Sequence, residues 1–203
     1  MYFYRLWRCC LGSLAERLRE FYTYGDYLNW DDDERWELID GAAYNMTPAP
    51  SRRHQDISGE LFRQFATYLL DKRCQVYASP FDVRLPEGDE ADEDILTVVQ
   101  PDISVICDSH KLDDAGCIGA PDLIAEILSP STSRKDHKEK FVRYERAGVK
   151  EYWLVDPLAN TVTVFKLDLG NRYGRPDVYG DNEKIVVGIL PDLEIDLPLV
   201  FRE

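Results

Sequence analysis

One carboxylate interrupts an otherwise apolar segment of the chain. Glu126 lies within Leu123–Leu128, and every other residue of that segment is apolar. A continuous apolar run of this length is typical of a strand that is buried on both faces. A buried carboxylate is costly unless it is paired or binds a metal, and such groups are concentrated at functional sites. We therefore favour a functional role for Glu126 over a structural ion pair or a partly exposed strand face.

Asp102 begins a second, mostly apolar segment, Asp102–Cys107, directly after Pro101. An aspartate in such a position is often only a turn residue, so its significance depends on Glu126. If the two segments form neighbouring strands, one carboxylate from each lies at a shared edge. Mg²⁺ takes oxygen ligands of this kind and usually keeps several waters. The two carboxylates together therefore predict a divalent-metal site.

Lys140 is the third candidate, and it lies on a helix predicted at about Arg134–Ala147. Four-residue spacing places it on one helix face with Asp136 and Tyr144. A lysine that reached inward from this helix could stabilise an attacking hydroxide and the charge that develops on a phosphate. The alternative is an ion pair between Lys140 and Asp136 within the helix.

The overall charge is unfavourable for a protein that binds nucleic acid. Asp and Glu number 38 against 24 Lys and Arg, which gives a net charge of −14. Proteins that bind DNA usually carry a basic surface, because neutralising phosphates drives the affinity. One basic segment exists between Arg134 and Lys150, where seven of the 24 basic residues occur within seventeen positions. We expect any contact with DNA to be made there.

The cysteines and the apolar runs indicate where the protein is found. The chain has 5 cysteines, an odd number, and no CxxC spacing. A disulfide framework or a zinc site is therefore disfavoured, reduced thiols are expected, and Cys107 is interpreted as a small core residue. No apolar run approaches the roughly 20 residues that span a bilayer, and the N-terminus lacks a clear signal-peptide pattern. We expect a cytoplasmic protein with no membrane partner.

Local patterns predict the elements that position these side chains. An Asp-Gly turn within Trp36–Tyr44 predicts a hairpin, and apolar spacing over Gln55–Asp71 predicts an amphipathic helix. Residues 1–21 are interpreted as an N-terminal extension with a helix that begins at Ser13, and residues 22–203 as a single domain. Two long helices mixed with strands imply an α/β domain with a mixed sheet. The predicted strands are residues 75–78, 81–85, 102–107, 123–128, 151–156, 161–167, 184–190 and 194–197.

Several segments resemble a known protein family. They are Tyr24–Leu28, Trp36–Gly41, Gln100–Val105, Ala125–Thr132 and Asp136–Asp156. The chain resembles, from about residue 22 to 200, the Uma family of proposed restriction endonucleases (domain of unknown function 820), which belongs to the PD-(D/E)xK nuclease superfamily. The most specific blocks are Glu126–Thr132 and Gly148–Pro157. This resemblance implies a restriction-endonuclease-like α/β core, with a mixed β-sheet flanked by helices.

The resemblance also implies roles for individual residues. Asp102 and Glu126 correspond to the metal ligands, with Mg²⁺ as the expected ion and Mn²⁺ as a substitute. The motif lysine of the superfamily would stand at Leu128, and the family moves the basic group to the following helix. That shift points to Lys140, with Lys138 as a competitor on a different helix face. Glu37 matches a hairpin glutamate of the family, which adds an oxygen ligand, orients a water or is simply exposed.

Further residues are interpreted as contacts to nucleic acid. Arg134, Lys135 and Lys138 lie in the basic segment, and His54 could touch a phosphate, shuttle a proton or be only an exposed histidine. Asp82 alternates with apolar neighbours, so it faces either the site or solvent. These residues are the least specific part of the prediction.

The function expected from the residues and the resemblance is a metal-dependent endonuclease that hydrolyses DNA. A homodimer is expected because both strands of a duplex are commonly cut by two subunits. The alternative is a catalytically inactive module that binds nucleic acid or protein, which the leucine at the motif-lysine position and the acidic surface favour. A serine hydrolase that uses Ser129 or Ser131 is set aside, because no glycines flank either serine as in a nucleophile elbow.

Overall fold

The computed structural model describes residues 21–30, 34–46, 49–130 and 135–202. These residues form many short strands and a few helices. The predicted helix that begins at Ser13 lies outside the described residues, and so do Ser131 and Arg134. The helices are α1 (Tyr24–Tyr27), α2 (Arg52–Leu69), α3 (Phe141–Ala147) and α4 (Leu197–Val200), and a π-helical segment, Asp136–Lys140, leads directly into α3. Two short 3₁₀ turns are formed by Asp92–Asp94 and Ser109–Lys111.

The strands form two mixed six-stranded sheets and a small hairpin. In chain order they are β1 (Trp36–Ile39), β2 (Ala42–Asn45), β3 (Gln75–Ala78), β4 (Val83–Arg84), β5 (Val98–Val99), β6 (Ile103–Ile106), β7 (Leu112–Asp113), β8 (Gly116–Ile118), β9 (Leu123–Ile127), β10 (Glu151–Asp156), β11 (Thr161–Lys166), β12 (Asp177–Gly180), β13 (Lys184–Val186) and β14 (Glu194–Asp196). The central sheet has the order β12-β11-β10-β9-β6-β3, and the outer sheet has the order β2-β1-β5-β4-β8-β7. This architecture confirms the predicted α/β fold with a mixed sheet flanked by helices.

The register of β6 and β9 brings the two predicted metal ligands together. The strands pair in antiparallel fashion, with Ile103 opposite Ala125. Asp102 precedes Ile103 by one residue and Glu126 follows Ala125 by one, so the same register places the two carboxylates opposite each other. Strand β9 also pairs in parallel with β10, which buries it in the middle of the sheet.

Alternation along β9 determines which layer each of its side chains faces. Leu123, Ala125 and Ile127 pack with α2 in one apolar cluster. Ile124 packs in a second cluster with Tyr144 of α3 and apolar residues of the outer sheet. Side chains alternate across a strand, so Glu126 shares the face of Ile124. That face is the one covered by α3.

Helix α2 begins a few residues earlier than its apolar spacing predicts. The Ser51 side chain caps it by accepting a hydrogen bond from the backbone N–H of His54. Its buried apolar stripe, which includes Ile57, Leu61 and Phe65, packs on the central sheet. Because the helix begins at Arg52, His54 lies in its first turn, at the end of the sheet that holds Asp102.

The predicted state of two cysteines is wrong. Cys74 and Cys107 form a disulfide rather than a pair of reduced thiols, and Cys107 is therefore not an isolated core residue. The reason is the pairing of β3 with β6, in which Gln75 lies opposite Ile106. The cysteines flank these residues at adjacent strand ends, but a separation of 33 residues gives no local signal. Cys117 is buried and free.

Several element boundaries also differ from the predictions. The strand predicted at residues 81–85 is only Val83–Arg84, and the strand predicted at residues 184–190 ends at Val186. Short strands such as β5 and β8 were not predicted, because two or three residues carry too little periodicity. In the described part of the chain, no helix is both long enough and apolar enough to cross a membrane.

A glycine in β8 provides a test of the outer sheet. Gly116 has φ +131°, and a Cβ atom there would lie 2.2 Å from the carbonyl oxygen of Asp82. We predict that Gly116→Ala destabilises the protein by about 2 kcal/mol or more, because the backbone at β4 must move.

Gly59 is the matched control, because it lies in α2 and a Cβ atom at that position would have no neighbour within 4 Å. Gly59→Ala should stabilise the protein by about 0.5–1 kcal/mol, since alanine loses less backbone entropy in a helix. Urea unfolding measures both changes. Equal midpoints for Gly116→Ala and wild type would contradict the described packing of β8 on β4.

Candidate active site

A cavity of about 1110 Å³ opens where α2, the β1–β2 hairpin and the adjoining ends of β6 and β9 meet. Six of the predicted site residues line it, namely Glu37, His54, Asp102, Glu126, Lys135 and Lys140. They come from separate elements and are brought together only by the fold. Lys138, the competitor for Lys140, is exposed and is not among the lining residues.

Glu126 is almost fully buried, with 4% of its surface exposed. Its Oε1 atom accepts hydrogen bonds from Lys140 Nζ at 2.8 Å and from the Tyr144 hydroxyl at 2.8 Å. Both donors come from the helical segment that covers this face of β9. The sequence predicted that the Glu126 carboxylate is buried, and the structure identifies Lys140 and Tyr144 as its hydrogen-bond partners.

The Lys140 side chain points inward to the two glutamates of the site, as a functional role for this lysine requires. Its ammonium group lies 2.7 Å from Glu37 Oε1 and 2.8 Å from Glu126 Oε1, whereas Asp136 is 3.8 Å away. The intrahelical pair with Asp136 is thus present but longer than the two contacts to the sheets. Lys140 is 3% exposed, so its charge is stabilised by these carboxylates rather than by water.

Glu37 is fully buried, which excludes the interpretation as an exposed hairpin carboxylate. Its Oε2 atom accepts a hydrogen bond from Lys135 Nζ at 2.5 Å, and its Oε1 atom accepts one from the backbone N–H of Gln100 at 3.0 Å. Together with Lys140, these contacts surround the carboxylate. Glu37 therefore connects the hairpin, the start of β6 and the helical segment.

The two glutamates differ in their electrostatic environments. Burial raises the pKa of Glu37, but the ammonium groups of Lys140 and Lys135 outweigh it and hold the pKa below its ordinary value. Burial also raises the pKa of Glu126, where the charge of Lys140 opposes it and Asp136, Asp102 and Glu37 add to it. Burial lowers the pKa of Lys140, yet Glu126 and Glu37 raise it well above the ordinary value. Glu126 is consequently the carboxylate that gains most from an additional cation.

Asp102 is held at the cavity wall by two hydrogen bonds. Its Oδ2 atom accepts one from the backbone N–H of Ile127 at 2.7 Å and lies 3.2 Å from His54 Nε2. The His54 side chain is only 12% exposed, so it is not a solvated histidine at a helix start. Burial lowers the pKa of His54, but the hydrogen bond and the charge of Asp102 outweigh it and hold the pKa above its ordinary value.

The acidic groups fit an open site for a hard cation better than a closed metal site. Among residues 21–30, 34–46, 49–130 and 135–202, no group of three or more His, Cys, Asp or Glu side chains is arranged to hold a metal ion. Asp102 and Glu126 nevertheless line one cavity from opposite positions of a strand pair. Mg²⁺ commonly uses only one or two carboxylates and completes its shell with waters and substrate phosphates. The donor set therefore fits magnesium or manganese.

Five of the six described cations of the basic segment contact carboxylates, and the sixth, Lys138, is exposed. Lys135 pairs with Glu37, Lys140 with both glutamates of the site, and Lys150 with Asp122 at 2.6 Å. Arg143 and Arg146 both contact the carboxylate of Glu87. Acidic residues from distant parts of the chain thus neutralise these cations, and the excess of Asp and Glu makes such pairing possible. Arg134 lies outside the described residues.

Three residues of the site were not assigned from the sequence. Tyr144 was recognised only as a neighbour of Lys140 on the helix, and its hydroxyl binds Glu126. Gln100 directly precedes the Pro101-Asp102 motif, which is the one local signal that could have indicated it. Arg35 lines the cavity beside Gln100, and nothing in its sequence context indicates this position.

Asp82 does not line the cavity. Its Oδ1 atom accepts hydrogen bonds from the Tyr27 hydroxyl at 3.2 Å and from Gln100 Nε2 at 2.8 Å. Burial raises the pKa of Asp82 above its ordinary value, and the hydrogen bonds from Gln100 and Tyr27 oppose that effect. Asp82 therefore acts on the site through its hydrogen bond with Gln100 and through its charge, which interacts with that of Arg35.

Comparison with known proteins gives relatives in sequence and a solved structure with a similar fold. "Uncharacterized protein slr1290" of Synechocystis sp. is 28% identical over 143 residues, which cover 69% of this chain and 71% of the relative. "Uncharacterized protein sll1609" of the same organism is 24% identical over 168 residues, which cover 80% and 90%. A crystal structure of "a putative nuclease belonging to DUF820" from Anabaena variabilis shares the fold, with a TM-score of 0.69, 21% identity and coverage of 88% of this chain and 97% of that one. Residues 24–198 match the sequence model of the Uma2 family, described as "Putative restriction endonuclease", and the chain therefore belongs to that family.

Proposed function

We propose that this protein is a metal-dependent endonuclease that hydrolyses phosphodiester bonds in DNA. The observation that carries the proposal is the convergence of Asp102, Glu126 and Lys140 on one cavity wall. The chain has Leu128 where the superfamily has its lysine, yet an ammonium group still contacts the metal-binding glutamate. Membership of the Uma2 family supports the same reaction class.

In this proposal Asp102 and Glu126 hold Mg²⁺, for which Mn²⁺ can substitute. The bound ion would supply Lewis-acid chemistry, which activates water and neutralises charge on the phosphate. Glu126 gains most from that positive charge, because burial raises the pKa of Glu126. Asp102 remains oriented by the backbone N–H of Ile127 and by His54.

Lys140 supplies a fixed positive charge next to the reacting phosphate. Its ammonium group bridges Glu37 and Glu126, at 2.7 and 2.8 Å. Glu37 would still hold the ammonium group if Glu126 bound a cation. Lys140 can then donate a hydrogen bond to a phosphate oxygen, where charge develops in the transition state.

Glu37 is best described as a positioning residue for this lysine. Its two oxygens already accept bonds from Lys135, Lys140 and the Gln100 backbone N–H. A role as a third metal ligand through Oε2 would displace the Lys135 contact, and one through Oε1 would displace Lys140 or the Gln100 N–H, inside a buried site. The contacts of Glu37 therefore support a role as counter-ion to Lys140 and Lys135 rather than a role as a metal ligand.

The alternative function, a nuclease-like module without hydrolytic activity, is favoured by one feature of the same site. Lys140 already neutralises Glu126, as a lysine does in a purely structural buried ion pair. In such a module Asp102 and Glu126 would not need to share a cation. Metal binding therefore separates the two functions.

Binding of Mg²⁺ or Mn²⁺ tests the proposed role of Glu126. Glu126→Gln should abolish saturable binding of Mg²⁺ or Mn²⁺ in calorimetric titration while the fold is retained, because the amide keeps the shape but loses the charge. Glu139→Gln is the matched control, since Glu139 lines the same cavity on the helical segment and should be dispensable for metal binding. Failure of the wild-type protein to bind either ion, also with a DNA duplex present, would support the inactive module.

The second prediction separates chemistry from metal binding. Lys140→Ala should reduce DNA cleavage by about 100-fold or more, because a buried charge aimed at the reacting phosphate is removed. Metal affinity should be equal or higher, since the ammonium group no longer competes for Glu126. Lys138→Ala removes an exposed lysine of the same helical segment that does not line the cavity, so it should reduce cleavage far less than Lys140→Ala does. Normal cleavage by Lys140→Ala would show that the lysine assignment is wrong.

The third prediction concerns the protonation of His54 in the metal-free protein. The pKa of His54 is raised because Asp102 outweighs burial, so the imidazolium persists to higher pH than an ordinary histidine. Asp102→Asn removes the two largest raising interactions, the hydrogen bond and the charge of Asp102, so the pKa of His54 should fall. NMR titration of the imidazole signals measures this, with His54→Gln to assign them. A pKa that rises or stays constant would contradict the described His54–Asp102 contact.

A further inference from the structure

The cations that line the cavity differ in how they are neutralised. Lys135 and Lys140 contact Glu37 and Glu126, and His54 contacts Asp102. These three positive groups already have carboxylate partners. Their net contribution to the attraction of an anionic substrate is therefore small.

Arg35 also lines the cavity, but its hydrogen-bond partners are neutral. Its Nη2 atom donates to Gln100 Oε1 at 2.6 Å and to Ser79 Oγ at 2.6 Å, and its Nε atom donates to Gln100 Oε1 at 3.1 Å. The side chain is exposed at the cavity rim. Within the described residues, Nη1 makes no hydrogen bond, so that part of the guanidinium remains available to an acceptor.

Gln100 holds this guanidinium in one orientation. Its Nε2 atom donates to Asp82 Oδ1 at 2.8 Å and to the Tyr27 hydroxyl at 3.1 Å, which leaves Oε1 to accept both bonds from Arg35. The Gln100 side chain is 8% exposed, and its amide cannot turn without losing these bonds. Its backbone N–H is also fixed, since it donates to Glu37.

Arg53 is a second cavity-lining arginine that contacts no carboxylate within the described residues, but it is committed to the fold. Its guanidinium donates to the carbonyl oxygens of Phe201 and Arg202 and to Asn160 Oδ1, and it lies over the Phe201 ring. These contacts tie α2 to the C-terminal segment. Arg35 is therefore the stronger candidate for a ligand.

We propose that Arg35 binds a phosphate of the nucleic-acid strand at the cavity rim, with Gln100 as its positioning residue. This inference rests on the proposed nuclease function. Gln100 stands two residues before Asp102, so the guanidinium is fixed to the same backbone segment as a proposed metal ligand. Nε and Nη2 are occupied by Gln100 and Ser79, which fixes the direction of the two remaining N–H groups, those of Nη1, and a phosphate would accept from these. The substrate class is a phosphodiester chain long enough to extend from the metal site to the rim.

The test is a binding experiment with fluorescein-labelled duplex DNA and the matching single strand, in EDTA so that the strands stay intact. Arg35→Gln should weaken binding by about tenfold to hundredfold. The plot of log Kd against log salt concentration should lose about 0.9 of its slope for duplex, or about 0.7 for the single strand, because one phosphate contact is removed. The strand type that shows the loss identifies the form that occupies the rim.

Three further variants make the outcome specific. Arg52→Gln is the matched control, because Arg52 is 85% exposed, pairs with Asp56 and does not line this cavity. Arg35→Lys should fall between wild type and Arg35→Gln, since the charge remains but the planar guanidinium that Gln100 orients is lost. Gln100→Ala should weaken binding, and the Arg35→Gln/Gln100→Ala protein should bind no worse than Arg35→Gln, because the two residues act as one unit. Thermal melting verifies that each variant is folded.

The ways in which this proposal can fail are distinguishable. An unchanged Kd and salt slope in Arg35→Gln, from a wild-type protein that cleaves DNA with Mg²⁺, would overturn the phosphate contact and leave the nuclease function intact. Equal losses in Arg35→Gln and Arg52→Gln would also overturn it, because the effect would then be only one of net charge. Absence of binding to both probes and of cleavage by the wild-type protein would overturn the contact together with the function.

Discussion

A single buried ammonium group is the constraint on which the site depends. Lys140 lies in a water-poor interior between Glu37 and Glu126, which come from different sheets. A buried charge must be paired closely, so these three side chains fix the distance between the hairpin, β9 and the helical segment. Removing Lys140 leaves Glu126 without this cationic partner, whereas either glutamate still pairs with the ammonium group when the other is removed. The network therefore contributes to the shape of the cavity as well as to its chemistry.

The backbone explains why these side chains meet. Side-chain alternation in β9 turns Glu126 toward the helical layer, while its apolar neighbours face α2. The π-helical segment Asp136–Lys140 leads into α3 directly above that face and brings Lys140 and Tyr144 to the same carboxylate oxygen. π-Helical turns are often found at functional sites, because they shift side chains relative to a regular helix. The antiparallel register of β6 then places Asp102 opposite Glu126.

The acidic composition is compatible with a nuclease when the charges are considered in place. Most basic side chains after Arg134 form ion pairs within the protein, so the composition of this segment overstates its affinity for DNA. Under the proposed function, a bound divalent cation and cations with neutral partners would attract the phosphate chain. Arg35 is such a cation, and its support by Gln100 connects the cavity rim to the segment that carries Asp102. Local charge, rather than the net charge of −14, decides what this cavity can bind.

The sequence by itself determined the family resemblance, the α/β class, the Asp-Gly hairpin, the long amphipathic helix and the two strands that carry Asp102 and Glu126. These features depend on local periodicity and turn chemistry, which neighbouring residues express directly. The sequence left two interpretations of Lys140 open, an inward position at the site and an ion pair with Asp136. Only the packing of its helix on β9 showed that the contacts to the two glutamates are the shorter ones. The disulfide, the neutralised basic segment, the burial of Glu37 and the position of Arg35 were decided by tertiary structure alone. Each of them joins residues far apart in the chain, and no local pattern encodes which distant carboxylate, thiol or amide a side chain will meet once the sheets pack.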